Sequence, residues 1–480
     1  MMIHHLQKPS DGAIVTPSGT GRDVNVEETD VIVVGGGFSG LTAARQLHEH
    51  GMRVVVLEAR DRVGGRTMSG SIAGLTVDLG GMWAGPTQTA LIALADEFGI
   101  ERFAQPLQGK NIVELGQRVT RAEGEDFLCA RSDAARRQYI TLLGSIEALA
   151  ADMPAQDHWQ WHRAAEFDGM TLAQWLDRAD ALPEVKSDMA ISCRALLCAE
   201  VHQVSFLHFL FYVKSGGSFT TLTTATEGAQ KWLFKGGVHQ IAQHLAASLP
   251  PGAVKLGATV HAVTREPGAV RVTSGLKSYA ARALVMALPP TLASRIDYQP
   301  PLDARRDGLM QRLCMGSVIK CYLAYDKPFW RQAGLNGLVL SDTRVFSPIF
   351  DVSPPDQSLG LLCGFIDGRA AVEWSERGTL ARRGQFIAEA SHWFGDAARS
   401  PVDYLDLDWT REPWSRGCYG GYAAPGTWTG YGDALCRNEP PIFWAGTETS
   451  PTWYCYIEGA IRAGQRAAQE VKRTIGEQAW

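Results

Sequence analysis

Short apolar runs alternate with an amphipathic helical pattern in the first part of the chain. Residues 31–34 (VIVV) form a run of β-branched side chains, residues 41–49 place apolar residues at helical spacing, and residues 54–57 (VVVL) form a second apolar run. Four-residue apolar runs bounded by glycine predict buried parallel strands, and the segment between them predicts a helix. The pattern therefore predicts a strand-helix-strand unit that opens an α/β domain.

The same alternation returns twice later in the chain. A helix is predicted over residues 238–249 with strands over 254–263, 270–273 and 283–287, and a last apolar strand over 442–445 precedes a helix over 459–471. Between these segments, residues 108–235 are predicted to be mainly helical, and residues 317–325 and 359–366 to be strands, with a helix over 380–393.

This order predicts an α/β fold of two domains, each built from separated segments. We expect a flexible N-terminal arm over residues 1–28, because that stretch is polar and rich in proline and glycine. The remaining prediction is a discontinuous doubly wound, Rossmann-like domain from residues 29–105, 235–310 and 412–474, and an α+β domain from residues 106–234 and 311–411.

The turn after the first strand carries the clearest chemical signal. Gly35, Gly37 and Gly40 give G-x-G-x-x-G, and Glu58 ends the second strand 58 − 40 = 18 residues after the third glycine. The first two glycines permit a tight turn and close approach to a pyrophosphate, and the third lets the helix pack on the strand. The helix N-terminus then faces the phosphates, and the acid accepts hydrogen bonds from a ribose.

The residues after Glu58 distinguish between dinucleotides. Gly64 and Gly65 add backbone N–H groups, and Arg62 and Arg66 add guanidinium groups that suit a pyrophosphate. This continuation is typical of FAD enzymes rather than of NAD dehydrogenases, so the sequence predicts FAD.

Composition limits the partners. With 480 residues, 45% hydrophobic and 20% charged, the chain is typical of a globular protein, and its net charge of −5 provides no basic surface for nucleic acid or an anionic membrane. No segment approaches the roughly 18 consecutive apolar residues of a membrane span. Small molecules are the expected partners.

The nine cysteines are scattered and odd in number, which is unlike a disulfide framework and favours a reducing cytoplasm. No metal is predicted, because the pair His158 and His162 lacks the glutamate of a zinc protease and is better interpreted as an amphipathic surface turn.

Several longer motifs resemble the flavin-containing monoamine oxidase family, in particular its soluble bacterial-type members. They are LEARDRVGGR at 57–66, DLGGMWAGPTQ at 78–88, YVK at 212–214, GSVIKC at 316–321, GCY at 417–419, AGTET at 445–449 and YIEGA at 456–460. The resemblance extends from about residue 28 to residue 474. It implies an FAD-binding domain and a substrate-binding domain whose sheet covers a cavity above the flavin ring.

The resemblance implies three catalytic residues. Lys320 matches the lysine that holds a water against flavin N5, and its place inside an apolar strand favours a functional role, although a solvent-facing edge-strand lysine stays open. Tyr419 and Tyr456 match the two aromatic residues that face each other in front of the flavin and form a slot for the amine. Cys418 matches the cysteine joined to the flavin in animal members, so FAD is either covalent through Cys418 or bound without a covalent bond.

The resemblance also implies cavity and cofactor residues. The expected substrate-cavity residues are Gln230, Thr223, Ala195, Leu196 and either Ile349 or Phe350. The expected cofactor-binding residues are Gly35, Gly37, Gly40, Glu58, Ala59, Arg60, Gly65, Arg66, Val260, Cys418, Gly446, Thr447 and Glu448.

The expected reaction is oxidation of a primary aromatic or aliphatic monoamine to an aldehyde, ammonia and hydrogen peroxide, with O2 as electron acceptor. An acidic cluster for polyamines and an arginine for a substrate carboxylate are not evident in the sequence, so polyamine or L-amino acid oxidation is less favoured. A dehydrogenase that uses another acceptor stays open, and so does a flavin-binding module without catalysis. A homodimer is expected from the resemblance.

Overall fold

A five-stranded parallel sheet lies at the centre of the computed structural model, which describes residues 26–116 and 118–476. Its strands come from all three segments in which the strand-helix pattern occurs. In spatial order they are Val254–Lys255, Val54–Leu57, Val31–Val34, Ala283–Met286 and Ile442–Trp444. Because all five strands run in one direction, their carboxyl ends meet at a single edge of the sheet.

Both faces of this sheet are covered, which explains its continuous apolar runs. Val31 and Val33 pack on one face against the helices Phe38–Glu49, His239–Ala247 and Ile457–Gly476. Ile32 and Val34 pack on the other face against a second sheet. The strands of that second sheet, in spatial order, are Val26–Glu28, Lys277–Ala281, Ala269–Ser274, Val260–Glu266 and Asp297–Gln299. The predicted α/β fold is thus confirmed, with a sheet as its third layer.

The predicted N-terminal arm is too long at its C-terminal end. Val26–Glu28 is a strand that pairs in parallel with Lys277–Ala281, and residues 1–25 lie outside the described residues. The sequence pattern did not indicate this strand, because two of its three residues are exposed glutamates and an edge strand needs few apolar side chains.

A seven-stranded sheet, here called the roof sheet, contains the strands predicted over 317–325 and 359–366. All eight side chains of Val318–Tyr325 are buried, since the strand lies inside the sheet between Gly360–Asp367 and Asp403–Asp408. The helices Arg369–Ser375 and Thr379–Phe394 cover one face of the roof sheet. Its full order is Asp403–Asp408, Val318–Tyr325, Gly360–Asp367, Ile349–Asp351, Leu335–Ser341, Lys110–Leu115 and Arg118–Glu123.

The prediction that residues 108–235 are mainly helical is wrong at its start. Lys110–Leu115 and Arg118–Glu123 form an antiparallel hairpin at the edge of the roof sheet. The second of these strands is largely exposed and polar, so it lacks the apolar alternation that indicates a strand. The helices that follow are Asp133–Asp152, Ala164–Asp168, Leu172–Arg178, Pro183–Leu197, Phe206–Ser215 and Phe219–Thr223.

Shorter elements connect these parts. Three two-stranded ladders pair Ser69–Ile72 with Leu75–Asp78, Arg102–Ala104 with Trp232–Phe234, and Leu313–Met315 with Gly421–Ala423. The other helices are Thr89–Glu97, Pro290–Ala293, Ala304–Met310 and Thr427–Tyr431, and 3-10 turns span His158–Gln160, Phe329–Ala333, Asp396–Arg399, Gly432–Ala434 and Thr447–Thr449. Among the helices in residues 26–116 and 118–476, none has the length and apolar character required to span a membrane.

Two helical glycines give a matched test of this packing. A Cβ at Gly464 would lie 2.2 Å from the carbonyl oxygen of Ser39, whereas a Cβ at the exposed Gly144 would have no neighbour within 4 Å. We expect Gly464→Ala to lower the free energy of unfolding by about 1–3 kcal/mol through overpacking. Gly144→Ala should raise it by about 0.5–1 kcal/mol, because alanine has the higher helix propensity. Denaturant unfolding of both variants measures this, and effects of the same sign would contradict the close approach of the two helices.

Candidate active site

One cavity extends from the carboxyl edge of the parallel sheet to the space beneath the roof sheet. It brings together most of the residues predicted from the sequence. Those that line it are Gly35, Gly37, Glu58, Arg60, Gly65, Arg66, Ala195, Leu196, Thr223, Gln230, Lys320, Phe350, Cys418, Tyr419, Gly446, Thr447 and Tyr456. Four predicted cofactor residues, Gly40, Ala59, Val260 and Glu448, do not line it.

The glycine turn has the geometry expected from its sequence. Gly35 has a φ of +106°, and a Cβ there would lie 2.7 Å from the carbonyl oxygen of Ala287. Gly40 lies behind the turn, where a Cβ would lie 2.0 Å from the oxygen of Gly35, so its role is packing. Gly37 begins the helix without a side-chain cap, and the first helical residues Phe38 and Ser39 line the cavity.

Glu58 ends the second strand of the unit and is 3% exposed. One of its oxygens accepts the N–H of Gly36 at 2.7 Å, and the other accepts the N–H of Arg60 at 3.0 Å. Nη1 of Arg60 also donates to this second oxygen, at 3.2 Å. A carboxylate has about four lone-pair positions, so Glu58 keeps the capacity to accept about one further hydrogen bond from the cavity. Val260 lies at the start of a strand in the second sheet, and its predicted backbone contact with adenine stays a prediction.

The arginines in this loop have protein partners, which corrects the prediction that Arg62 and Arg66 present free guanidinium groups to a pyrophosphate. Arg62 donates to the carbonyl oxygens of Val63, Gly65 and Thr67 and thereby closes the loop. Arg60, which does line the cavity, is held by Glu58 and Glu412. Glu412 is distant in sequence and the partners of Arg62 are backbone atoms, so no local pattern of side chains indicated them.

Arg66 forms a two-point ion pair with Glu448. Nη1 lies 2.6 Å from one carboxylate oxygen and Nη2 lies 3.1 Å from the other, and Nη1 also donates to the carbonyl oxygen of Tyr419 at 2.8 Å. Burial opposes the charge of Arg66, but the attraction of Glu448 outweighs it and raises the pKa of the guanidinium above its usual value. Glu448 is therefore not part of the cavity lining, and it contributes to the site by holding the guanidinium group of Arg66.

Lys320 is 2% exposed and lies in the interior of the roof sheet, so a solvent-facing edge position is excluded. Its Nζ donates to the carbonyl oxygen of Gly80 and to Sδ of Met82, both at 2.8 Å. Among the described residues no carboxylate lies within ion-pair distance of this ammonium group. Burial accordingly lowers the pKa of Lys320, and it raises the pKa of the nearby Asp78 to about 7 against the attraction of Lys320.

Tyr419 and Tyr456 line the same cavity as Lys320, which agrees with the predicted slot. Tyr419 packs edge-on against Phe365 with ring centroids 6.5 Å apart. Tyr456 packs edge-on against Trp453 at 4.8 Å. Burial raises the pKa of both phenols above the usual value. Both side chains are therefore neutral and held by aromatic neighbours, and their roles in catalysis stay predictions.

The cysteines of the described residues are all free. Cys418 and Cys455 both line the cavity, and burial raises the pKa of the Cys418 thiol to about 12 although Arg66 favours its thiolate. Burial also raises the pKa of Cys198, Cys363 and Cys455. A covalent bond from Cys418 stays a prediction.

The five predicted cavity residues line the part of the cavity beneath the roof sheet. Of the pair Ile349 and Phe350 it is Phe350 that does so, whereas Ile349 is fully buried on the opposite face. The side-chain amide nitrogen of Gln230 donates to the oxygen of Leu222, and its Oε1 has no partner among the described residues. Oε1 is thus an available acceptor in this part of the cavity.

Sequence reasoning missed two groups of residues in the cavity. The first group is the aromatic wall around Lys320, where Trp83 and Phe365 lie within 6 Å of Nζ. The second group is the buried pair of Arg131 and Asp188, an arginine and a carboxylate in the cavity lining that no sequence motif indicated. A usable signal existed for Asp188, because it occupies a core position in the apolar pattern of the helix Pro183–Leu197.

The predicted surface position of His158 is also wrong. Its side chain is 2% exposed and stacks on Phe211 with ring centroids 4.1 Å apart. Burial lowers the pKa of His158 to about 3, so the ring is neutral. Within residues 26–116 and 118–476, no cluster of three or more His, Cys, Asp or Glu side chains suits a metal ion.

The carboxyl edge of the parallel sheet fits FAD on three observations. Gly35 and Gly37 line the cavity without side chains, the first residues of the uncapped helix line it too, and Glu58 has about one lone-pair position left. These are the elements that hold a pyrophosphate and a ribose in dinucleotide sites.

Comparisons with known proteins agree with this geometry. The sequence model of the family described as flavin containing amine oxidoreductase matches residues 38–472. A putative flavin-containing monoamine oxidase of Mycobacterium tuberculosis is 38% identical, over 92% of this chain and 96% of its own length.

Two solved structures are similar over nearly all of their length. Putrescine oxidase bound to putrescine has a TM-score of 0.89 at 30% identity, covering 93% of this chain and 100% of its own. Cyclohexylamine oxidase from Brevibacterium oxydans has a TM-score of 0.89 at 31% identity, covering 93% of this chain and 99% of its own. The chain belongs to the flavin-containing amine oxidoreductases, and its cofactor is FAD.

Proposed function

We propose that this amine oxidoreductase acts on primary aromatic or aliphatic monoamines and uses O2 as electron acceptor. One amine, one O2 and one water would give one aldehyde, one ammonia and one hydrogen peroxide. The observation that carries the proposal is the common placement of Tyr419, Tyr456 and Lys320 along one buried cavity with apolar walls.

The two tyrosines are proposed to orient the amine. Flat aromatic side chains that are held by neighbouring rings can confine the amine nitrogen and its α-carbon to one direction. The surrounding apolar side chains exclude water, which favours the uncharged amine over the ammonium form. An uncharged amine has the lone pair that oxidation to an imine requires.

FAD supplies the redox chemistry, since it accepts two electrons from the amine and passes them to the acceptor. The chain therefore has to bind, orient and exclude water, and no acid-base pair is needed. Gln230 Oε1, which has no partner among the described residues, is proposed to accept a hydrogen bond from the substrate.

Lys320 is proposed to act on the reaction with oxygen. Its ammonium group is buried and interacts with a carbonyl oxygen, a thioether and aromatic rings rather than with a carboxylate. An uncompensated positive charge in such surroundings stabilises negative charge that develops nearby. The negative charge here is the one that dioxygen gains as it is reduced.

The first prediction concerns substrate and acceptor. Under anaerobic conditions, benzylamine and an aliphatic amine such as pentylamine should bleach the visible flavin absorbance of the purified protein. Admission of O2 should then restore the colour and release one hydrogen peroxide per amine. Bleaching without recovery by O2 would indicate a dehydrogenase, and bleaching by amino acids or diamines alone would replace the proposed substrate class. A flavin that no amine bleaches would favour a non-catalytic module.

The second prediction concerns Lys320. We expect Lys320→Met to slow reoxidation by O2 about tenfold or more, through loss of the local positive charge, while anaerobic reduction by amine changes less than about threefold. Stopped-flow absorbance measures both steps. Lys214→Met is the matched control, because Lys214 also donates to backbone carbonyl oxygens but does not line the cavity. Equal slowing of both steps in Lys320→Met would show a general structural defect.

The third prediction concerns a covalent bond, which we propose joins the sulfur of Cys418 to a methyl carbon of FAD with help from the charge of Arg66. The thiol proton and one methyl hydrogen would be lost, and the two electrons released would reduce the flavin and pass to O2. Acid precipitation should then give a yellow pellet from the unaltered protein and from Cys455→Ala, and a yellow supernatant from Cys418→Ala. Cys455 is a suitable control because it lines the same cavity. Yellow supernatants from all three proteins would refute the bond and leave the proposed reaction untouched.

A further inference from the structure

The cavity continues beyond the aromatic pair to an end that contains Arg131 and Asp188. Only 2% of the Arg131 side chain is exposed. Its Nε lies 2.8 Å from both carboxylate oxygens of Asp188, and Nη2 also donates to this carboxylate. Nη1 has no hydrogen-bond partner among the described residues. A buried guanidinium group thus has N–H donors left over at the wall of the cavity.

The helix Pro183–Leu197 gives the distance of this group from the aromatic pair. Asp188, Ile191, Ala195 and Leu196 all line the cavity from this helix, so the helix runs along its wall. The hydroxyl of Tyr212, which lies against Tyr456, donates to the carbonyl oxygen of Leu196. Asp188 is eight residues away, which corresponds to about 12 Å along a helix.

Most of the wall between the two ends is apolar, and Ser192 is a polar side chain on its helical side. Ile191 lines it from the helix, and Leu338 and Leu340 line it from a roof-sheet strand. A ligand that spans this stretch without polar atoms loses no hydrogen bonds there, whereas a polar group halfway along would meet mainly apolar side chains.

The named side chains at the outer end carry one negative charge in excess, because Arg131 is paired with Asp188 and Glu125 has only neutral donors. Asp188 neutralises Arg131, and the only other acidic residue on the described lining of this end, Glu125, accepts the N–H groups of Ala225 and Thr226. A carboxylate would therefore bring an excess negative charge beside Asp188, and an ammonium group would face the guanidinium N–H donors. A neutral oxygen acceptor suits the free donors best.

We propose that Arg131 Nη1 forms a distal subsite that binds a neutral oxygen acceptor, such as a hydroxyl group or an amide carbonyl, at the far end of a long-chain amine. The proposal rests on the proposed function, since the amine end must lie between the tyrosines. An extended chain advances about 3.4 Å per three bonds, so a span of about 12 Å corresponds to roughly ten bonds. The preferred substrate class is therefore amines with eight to ten carbons and a terminal oxygen.

The test compares ω-amino alcohols with n-alkylamines of equal carbon number, from about four to twelve carbons. The second-order rate constant for anaerobic flavin reduction is measured on the holoenzyme by stopped-flow absorbance. We expect the hydroxyl group to be unfavourable in short chains, which place it at the apolar wall, and to be favourable by about tenfold in chains of eight to ten carbons. The series uses the unaltered protein and requires no variant to fold.

A double variant then assigns the effect to the pair. Arg131→Leu/Asp188→Leu removes both charges together, so no unpaired buried charge remains. It should abolish the preference for the hydroxyl group, which is a ratio of two rate constants measured on the same variant and does not depend on any change in the overall rate. Arg295→Leu, at an exposed arginine outside the cavity, should retain the preference.

The outcomes separate the two proposals. A hydroxyl effect that does not depend on chain length, or that persists in the double variant, would refute the distal subsite and leave amine oxidation standing. Stronger preference for ω-amino acids or for diamines would refute a neutral acceptor. Failure of every amine to reduce the flavin would refute the proposed function, and the subsite with it.

Discussion

The ion pair between Arg66 and Glu448 connects parts of the chain that are 382 residues apart. Arg66 belongs to the loop after the first strand-helix-strand unit, and Glu448 belongs to the turn after the last strand of the parallel sheet. The same two side chains bond the backbone of Tyr419 and Gly421. Cofactor loop, final turn and aromatic slot therefore share one buried contact. Because loss of one partner would leave a buried charge uncompensated, the pair makes this arrangement specific rather than merely stable.

The parallel sheet and its turn could be predicted from local pattern because their determinants are local. Val31–Val34 is apolar throughout since it is buried on both faces, and Gly35 and Gly40 are required by contacts within the unit itself. The apolar run around Lys320 favoured a functional role but left an edge position open, and the two neighbouring strands in the roof sheet exclude that position. The family resemblance added Tyr419 and Tyr456, which no periodicity distinguishes from ordinary core tyrosines.

What could not be predicted depends on contacts between distant segments. Arg118–Glu123 is a strand only because Lys110–Leu115 offers it an edge, and its own side chains are polar. The guanidinium group of Arg60 is held in part by Glu412, which lies 352 residues further on and outside the motif. Arg131 precedes a helix in a polar stretch, and its burial follows from the position of Asp188, 57 residues further on.

The buried thiols around the cavity have a consequence for the lifetime of the protein. Hydrogen peroxide oxidises thiolates far faster than thiols. Burial raises the pKa of Cys198, Cys363 and Cys455, so these side chains stay protonated beside the place where the proposed reaction would release peroxide. The low-dielectric surroundings that keep an amine uncharged would thus also keep these thiols protonated. The hydrogen peroxide released in each catalytic cycle would therefore oxidise them only slowly.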